Sequence, residues 1–331
     1  MKKGISIAFV LTVFSIGVQA QNTARYSQFN FSQGVLNPAA IAIDAEIMVD
    51  MIFRNQWFGF EGAPTNGAIN AQYELYHDMA TGLNISYDLI GVSHNTQVSG
   101  QYAYRLFFDQ NNALIFGVSA GLDQRVQDLG ITQTTDPNDP TFSSRLSRYM
   151  FNAGFGMHYH ARKFYIGTSI PQLFQNTMTP AGSVFTPRKW HYYLSTGFYL
   201  NMSERYRLTP MIQVKTTPNA PIQGDLLLRN TFNGRWSLVL GYRSENSIIA
   251  GFDALITELV RAGYAFNYNV TGLSDVRGMS NELYVGLGLP YHNSREEFSK
   301  RKYINNGNRK FKRDFNKGYK HRPWYKRRKK Q

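Results

Sequence analysis

Histidine and acidic residues form the few groupings in this sequence that could support chemistry. His158 and His160 lie two residues apart, so an extended backbone would place both on one face of a strand. No third ligand follows them closely in sequence, and two ligands do not complete a zinc site. Asp136 and Asp139 lie between prolines, where a turn in a long loop explains them more simply than a calcium site. We therefore predict no metal site.

The motifs of common enzyme classes are also missing. We find no HExxH, no Walker A pattern and no serine nucleophile elbow. Gly286 and Gly288 are followed by Pro290 and by no predicted helix, which argues against a nucleotide loop. His94 alone, on a predicted outer loop, is too little for a lipid-modifying enzyme. The sequence predicts a protein that is not an enzyme and requires no cofactor.

The first twenty residues have the order of a secretory signal peptide. Lys2 and Lys3 precede an apolar run over residues 5–16, and a small-residue ending closes at Ala20. That run is too short to cross a bilayer core of about 30 Å as a helix. No later stretch approaches eighteen consecutive apolar residues, which excludes a helical membrane protein. The chain has no cysteine, so an exported fold must hold together without disulfides.

The positive charge of the protein is concentrated at its C-terminal end. Residues 292–331 hold sixteen lysines and arginines against three acidic residues, whereas residues 21–291 hold eighteen against nineteen. Aromatics interleave with the basic residues, and aliphatic side chains are few, so we predict a disordered tail over residues 291–331. The basic residues assigned to it are Lys300, Arg301, Lys302, Arg309, Lys310, Lys312, Arg313, Lys326, Arg327, Arg328, Lys329 and Lys330.

Between these ends, apolar and small or polar residues alternate with a period of two. Ala262, Tyr264, Phe266 and Tyr268 fall on one face of such a run, suited to lipid, while Gly263 and its alternate neighbours fall on the other. The runs predict an all-β protein with fourteen strands, at residues 47–53, 67–75, 80–88, 97–106, 112–122, 149–158, 161–170, 191–200, 206–216, 222–231, 235–243, 247–254, 257–269 and 281–289.

An even number of antiparallel strands, connected by alternating long and short loops, is typical of an outer-membrane β-barrel. Long loops are predicted at residues 54–66, 89–96, 123–148, 171–190 and 270–280, all after odd strands, with short exceptions at 217–221 and 244–246. A soluble β-sandwich or propeller is the alternative. The aromatics at run ends favour the barrel, since barrels carry aromatic girdles at both interfaces. We predict the barrel over residues 46–290, after a periplasmic or plug segment at 21–45.

Three short motifs near the start of the mature chain resemble the PorP/SprF family of type IX secretion system membrane proteins. The motif residues are Asn37, Pro38, Ala39 and Ala40, then Arg54, Asn55, Gln56 and Trp57, then Gly62, Ala63, Pro64 and Thr65. The resemblance implies an outer-membrane component of the Bacteroidota secretion and gliding apparatus. It further implies a role in the export or surface retention of adhesins, and contacts with periplasmic secretion components.

The motif residues also have physical interpretations of their own. Pro38 pushes Asn37 out of the helical region and so predicts a turn. The loop at 54–66 contains Arg54 and Trp57, residue types enriched in interface hot spots, and could anchor a partner. Equally, Arg54 could pair with a carboxylate in the lumen while Trp57 fills the mouth of the barrel.

Two functional hypotheses follow from the sequence. The first is a secretion accessory protein that binds a secreted adhesin or other type IX components, with its tail in the periplasm. There the tail would bind an acidic protein or anionic cell-envelope material, and no nucleic acid is expected. The second is a diffusion channel or hydrophobic-solute transporter, since fourteen strands enclose a wide lumen. We expect few lumenal charges, among them Arg105, Lys215, Asp225 and Arg261, which favours the first.

Overall fold

The computed structural model describes residues 26–289 apart from residues 42, 44–45, 58–61, 77, 110, 129–144, 175, 180–181, 186–189, 219, 245 and 271–278. The predicted signal peptide, the basic tail and the aspartates at 136 and 139 lie outside the described residues. No helix in the described part of the chain is long and apolar enough to cross a membrane.

Strands make up almost all of the described chain. They are β1 Ile47–Asn55, β2 Thr65–Tyr76, β3 Met79–Ile90, β4 Ser93–Phe107, β5 Ala113–Asp128, β6 Arg145–His160, β7 Phe164–Ile170, β8 Asn176–Thr179, β9 Gly182–Phe185, β10 Tyr192–Phe198, β11 Leu200–Asn201, β12 Tyr206–Thr216, β13 Gln223–Phe232, β14 Trp236–Arg243, β15 Ser247–Leu255, β16 Val260–Asn269 and β17 Met279–Leu289. Two short helical turns precede β1, namely α1 Gln33–Leu36 and the 3₁₀ turn η1 Pro38–Ala40.

The strands form one closed antiparallel barrel. Each strand of the wall pairs with the wall strands that precede and follow it along the chain. The barrel closes at β1, which pairs with both β2 and β17. On the far side β10 pairs with β7 and β12, and the two-residue β11 continues it along β12. Strands β8 and β9 form a separate hairpin within the β7 to β10 connection. Among the described residues the barrel therefore has fourteen strand positions, which confirms the predicted count.

The boundaries of most strands agree with the prediction to within a few residues, with two clear exceptions. The predicted outer loop at residues 89–96 is wrong, because β3 continues to Ile90 and β4 begins at Ser93. A two-residue turn joins them, and its Gly91 has a positive φ of 55° that glycine adopts without strain. The predicted loop at 123–148 is also shorter than expected, since β5 continues to Asp128 and β6 begins at Arg145.

Side chains alternate between the outside and the inside of the barrel along each strand. In β16, Tyr264 and Tyr268 are 43% and 49% exposed on the outside, whereas Gly263, Ala265 and Asn267 are buried on the inside. The predicted phase of this strand is confirmed. The outward residues of the barrel are mostly large and apolar, as the lipid-facing surface of a barrel requires.

The two ends of the barrel differ in their connections. Ile47 pairs with Leu289, so β1 begins and β17 ends at one end, here called the proximal end. Connections at the proximal end have at most five residues. The two longest connections follow β5 and β7 at the opposite, distal end. The predicted topology, with these two loops on the side opposite to the barrel termini, is confirmed.

Candidate functional site in the barrel lumen

Residues 26–41, here called the N-terminal segment, lie inside the barrel. At one wall, the backbone amides of Ser27 and Gln28 donate to Glu282 of β17. At the opposite wall, the Ser169 hydroxyl of β7 donates to the Leu36 carbonyl at 2.8 Å. Because β7 lies seven positions around the barrel from β17, the segment spans the lumen.

The first anchor of the segment is a buried carboxylate. The oxygens of Glu282 accept from the amides of Ser27 and Gln28 at 2.8 and 2.6 Å, and the carboxylate is fully buried. Arg54 faces Glu282 directly across the β1–β17 pair, and Arg243 donates to the Ser27 hydroxyl at 3.3 Å. Hydrogen bonds to a charged acceptor contribute roughly twice as much as neutral ones. Glu282 therefore holds the start of the segment against β17.

The second anchor surrounds the ring of Phe31. Tyr284 stacks on this ring with centroids 4.6 Å apart, and the guanidinium groups of Arg229 and Arg261 lie 4.4 and 5.6 Å from its centroid. Both arginines pair with Asp253, Arg229 at 2.8 Å. The Asp253 carboxylate partly neutralises the two guanidinium groups, so both can remain close to the ring of Phe31. The plane of Phe31 is thereby fixed from two sides.

The first family motif forms the third anchor. The Asn37 side-chain oxygen accepts from the Ala39 amide at 2.9 Å and caps η1, as the predicted turn at Pro38 requires. Its side-chain nitrogen donates to the Met157 carbonyl of β6 at 3.1 Å. One amide group therefore shapes the turn and attaches it to the wall. Pro38, Ala39 and Ala40 are all buried.

Glycines in the wall leave room for this motif. A Cβ at Gly117 of β5 would lie 2.2 Å from the Ala39 nitrogen, and one at Gly156 of β6 would lie 2.0 Å from the Asn37 side-chain oxygen. Neither position can carry a side chain while the motif stays in place. Sequence reasoning missed these residues, although a glycine at an inward position of a strand is a known sign of close backbone approach.

The second and third family motifs meet at the distal end. The Gln56 amide donates to the Pro64 carbonyl at 2.9 Å, and the Asn55 side chain contacts the Thr65 hydroxyl at 3.4 Å. Arg54 is buried and faces inward, consistent with the predicted lumenal role. Trp57 is 41% exposed and has a φ of 53°. The exposed remainder of this connection includes Gly62, whose φ is 74°.

The lumen carries more charge than the sequence suggested. The four predicted residues, Arg105, Lys215, Asp225 and Arg261, do belong to the lumenal side, but the expectation of sparse charge is wrong. Buried pairs join Arg105 to Glu74 at 3.1 Å and Arg243 to Asp225 at 2.8 Å. Further inward charged residues are Asp50, Arg54, Asp123, Arg207, Arg229, Asp253 and Glu282. Most of these charged groups have an ion-pair or hydrogen-bond partner inside the barrel, so they hold the strands of the wall and the N-terminal segment together.

No arrangement for catalysis or metal binding is found among the described residues. Contrary to the expectation from the sequence, residues 117–121 do have the Gly-x-Ser-x-Gly spacing, but they lie inside β5, where no turn exposes Ser119 as a nucleophile elbow does. His158 is buried between the rings of Tyr165 and His160, with centroids 5.6 and 6.3 Å away. The described residues contain no cluster of three metal-ligating side chains.

Tyr26 completes the contact of the segment with the wall. Its ring packs with Ile52 and Ala68 in a buried cluster. Burial raises the pKa of the Tyr26 phenol above its ordinary value, so the group is neutral at physiological pH. Phe29 is fully buried in another cluster with Met211 and Leu227. Its hydrogen bonds to the wall and its buried apolar contacts make the segment an integral part of the barrel.

A closed fourteen-stranded wall with an apolar outer surface and a polar filled interior defines an outer-membrane β-barrel. The family model described as type IX secretion system membrane protein PorP/SprF matches residues 18–287. The chain belongs to this family. No curated protein matches the sequence.

The chain is similar to several solved structures of outer-membrane proteins. The CymD monoaromatic hydrocarbon channel has a TM-score of 0.51 at 10% identity, covering 79% of this chain and 94% of that chain. A Pseudomonas aeruginosa FadL homologue has a TM-score of 0.42 at 11% identity, covering 76% and 91%. Acinetobacter baumannii Omp33 has a TM-score of 0.42 at 8% identity, covering 74% and 98%. At these identities the likeness concerns the fold alone.

Proposed function

We propose that this barrel serves the type IX secretion machinery through protein contacts, supporting the export or surface retention of secreted adhesins. The observation that carries the proposal is the N-terminal segment, which spans the lumen and is anchored at Glu282, Phe31 and Asn37. A barrel whose interior is occupied in this way suits a binding and assembly role better than open diffusion. The proposal assigns the chain no catalytic activity.

The orientation we propose places the distal end outside the cell. Bacterial barrels have their longer loops outside and their termini in the periplasm. The connection that carries Trp57 and residues 62–65 is then available to a secreted partner, and the tail is periplasmic. We propose that the tail binds an acidic periplasmic protein or anionic cell-envelope material through residues 300–330.

The alternative function is a channel for small or hydrophobic solutes, as the names of the similar barrels suggest. Such a channel would require the N-terminal segment to leave the lumen. Purified barrel in planar lipid bilayers separates the two functions. We expect no conductance from the native protein and open-pore conductance after deletion of residues 26–41. Stable conductance of the native protein would favour the channel.

The secretion role is tested in cells that lack the protein. Complementation with the native chain should restore adhesins on the cell surface, measured by antibody labelling of intact cells. A barrel that folds but carries Trp57→Ala should restore less, whereas Trp57→Phe serves as the matched aromatic control. Normal adhesin display without the protein would contradict the proposed function.

The tail is tested by deletion of residues 300–331. The truncated barrel should assemble normally, as judged by heat-modifiable migration on gels. Recovery of periplasmic partners with the purified barrel should fall, and with the full chain it should weaken as salt rises, because salt screens exposed charges. Unchanged recovery at low and high salt after deletion would rule out this role of the tail.

A further inference from the structure

Part of the barrel wall extends beyond the length that a membrane requires. Strands β4, β5 and β6 have 15, 16 and 16 residues, whereas the other strands of the barrel wall have at most 12. A transmembrane strand needs about 10 residues, so the excess is about 5 residues, or about 17 Å of extended chain. Because the connections at the proximal end are short, the extra residues of β4, β5 and β6 lie at the distal end.

The last strand of this extension has an open edge. β6 pairs with β5 along its whole length, but with β7 only from Phe155 to His160. The connection after β7 follows this edge a little further. The Leu173 amide donates to the Ala153 carbonyl at 2.7 Å, the Phe174 amide donates to the Asn152 side-chain oxygen at 3.3 Å, and the rings of Phe174 and Phe151 lie 5.9 Å apart. Beyond Ala153, none of the described residues pairs with residues 145–151 on the side away from β5.

The backbone direction of this edge follows from the alternation of an antiparallel strand. Since the Ala153 carbonyl points away from β5, the amide and carbonyl groups of Arg145, Ser147, Tyr149 and Phe151 point away from β5 too. The Ser147 carbonyl accepts from the guanidinium of Arg148 at 3.3 Å, a contact on the exposed surface. Such a row of exposed backbone groups is a template for pairing with another strand.

The side chains of the edge indicate the chemistry of its partner. Residues 145–151 include Arg145 and Arg148 and no acidic residue. Arg148 faces Arg125 directly across the β5–β6 pair, and like charges in opposed positions destabilise a sheet. Arg145, Tyr149 and Phe151 lie on the opposite, outward face from Arg148, and Tyr149 and Phe151 are 70% and 56% exposed there. Pairing with a second copy of this edge would bring arginines together, so an acidic strand is the fitting partner.

We propose that residues 145–151 of β6 bind an extended, acidic segment of a secreted protein by strand addition. Backbone hydrogen bonds to the alternate residues supply affinity, as in other cases of strand addition. Carboxylates of the added strand lie beside Arg148 on the inward face of β6, and its apolar side chains lie beside Tyr149 and Phe151 on the outward face. The identity of the partner as a secreted protein rests on the proposed function, whereas the binding edge itself does not.

Synthetic peptides test the edge with purified full-length protein in detergent. The probe is an eight-residue peptide of alternating valine and glutamate, and its controls carry lysine in place of glutamate or methyl groups on alternate backbone nitrogens. The acidic peptide should bind. The N-methylated peptide should bind at least about tenfold more weakly, as the loss of one to two hydrogen bonds predicts, and the lysine peptide should also bind more weakly, because it meets the like charges of Arg148 and Arg125. Equal binding of the three peptides would overturn the proposal.

Substitutions at Ser147 locate the binding. Ser147→Pro removes an amide that points to the open edge, and Ser147→Ala retains it, so only the proline variant should lose the acidic peptide by about tenfold. Heat-modifiability shows whether the proline variant is folded. If it is not, Arg148→Glu should abolish the preference for the glutamate peptide over the lysine peptide, whereas Arg145→Glu, on the opposite face of β6, should change it less. An unchanged preference would refute the assigned edge.

The peptide assay and the adhesin assay can fail separately. If the acidic peptide binds at the edge while cells lacking the protein display adhesins normally, the edge stands and the proposed function fails. If adhesin display depends on the protein and Ser147→Pro supports it as well as Ser147→Ala does, the function stands and the edge is not its binding site.

Discussion

A single methyl group at Gly117 should drive the N-terminal segment out of the lumen. In the Gly117→Ala protein the new Cβ would lie 2.2 Å from the Ala39 nitrogen and 2.3 Å from the Pro38 carbonyl carbon. Rotation of a side chain cannot relieve contacts with backbone atoms, so η1 has to move. Overpacking of this kind costs about 1 to 3 kcal/mol, and backbone contacts place it at the upper end. A cost of about 3 kcal/mol raises the displaced fraction about 100-fold.

A single engineered cysteine can report this displacement, because the natural chain has none. Ser32 is fully buried and its hydroxyl has no hydrogen-bond partner, so Ser32→Cys changes little in the native protein. Its reaction with a water-soluble maleimide in isolated outer membranes should be slow. Adding Gly117→Ala should accelerate the reaction about 100-fold, in line with the shifted equilibrium.

The matched control is Gly100→Ala on the neighbouring strand. A Cβ at Gly100 would point outward, with its nearest heavy atom 4.0 Å away, so the substitution meets ordinary contact. It should leave the labelling rate unchanged. If Gly117→Ala and Gly100→Ala proteins react at the same rate, the segment does not depend on the space at Gly117, and the reasoning is refuted.

Three further predictions concern the segment and the lipid-facing surface. Glu282→Gln should weaken two charge-assisted hydrogen bonds and accelerate labelling at Ser32→Cys, while Asp123→Asn, at a buried carboxylate that accepts from Asn152 of the wall, should accelerate it less. Phe31→Ala should also accelerate labelling, because it removes the ring that stacks on Tyr284. Phe31→Tyr keeps the ring and should leave the labelling rate unchanged. Tyr264→Arg should destabilise the barrel by about 2 to 4 kcal/mol if it lies near the bilayer midplane, whereas Tyr264→Leu should be tolerated, measured by the temperature of gel-shift unfolding. Equal stability of the two Tyr264 variants would contradict the lipid-facing assignment.

The number and phase of the strands could be predicted because lipid and lumen impose different side chains on alternate residues. This contrast ends where a strand leaves the membrane. Residues 93–96 of β4 are polar on both faces, so their composition is typical of a loop although the sheet continues through them. For this reason the sequence predicts loops at residues 89–96 and 123–148, where the structure has the distal ends of β4, β5 and β6.

The sequence leaves the position of the N-terminal segment open between the periplasm and the lumen, for a different reason. Its contacts join residues far apart in sequence, such as Ser27 with Glu282, and the segment itself has no periodicity that selects a surface. The family motif at Asn37 indicated a turn and gave no information on its surroundings. Gly117 and Gly156 indicate a close approach of another backbone segment, but only the strand pairing shows that they face inward next to the Asn37 motif.

The attachment of Ser27 and Gln28 to Glu282 has a consequence for the order of folding. Glu282 belongs to the last strand, 255 residues after Ser27, so this anchor cannot form until nearly the whole wall has been synthesised, exported and paired. Closure of β1 against β17 involves the same late strand. Contacts at such separations form slowly, since their loop entropy is lost before they contribute. The docked N-terminus therefore marks a finished barrel, and an assembly stalled before its final strand keeps that end free for recognition by folding factors or proteases.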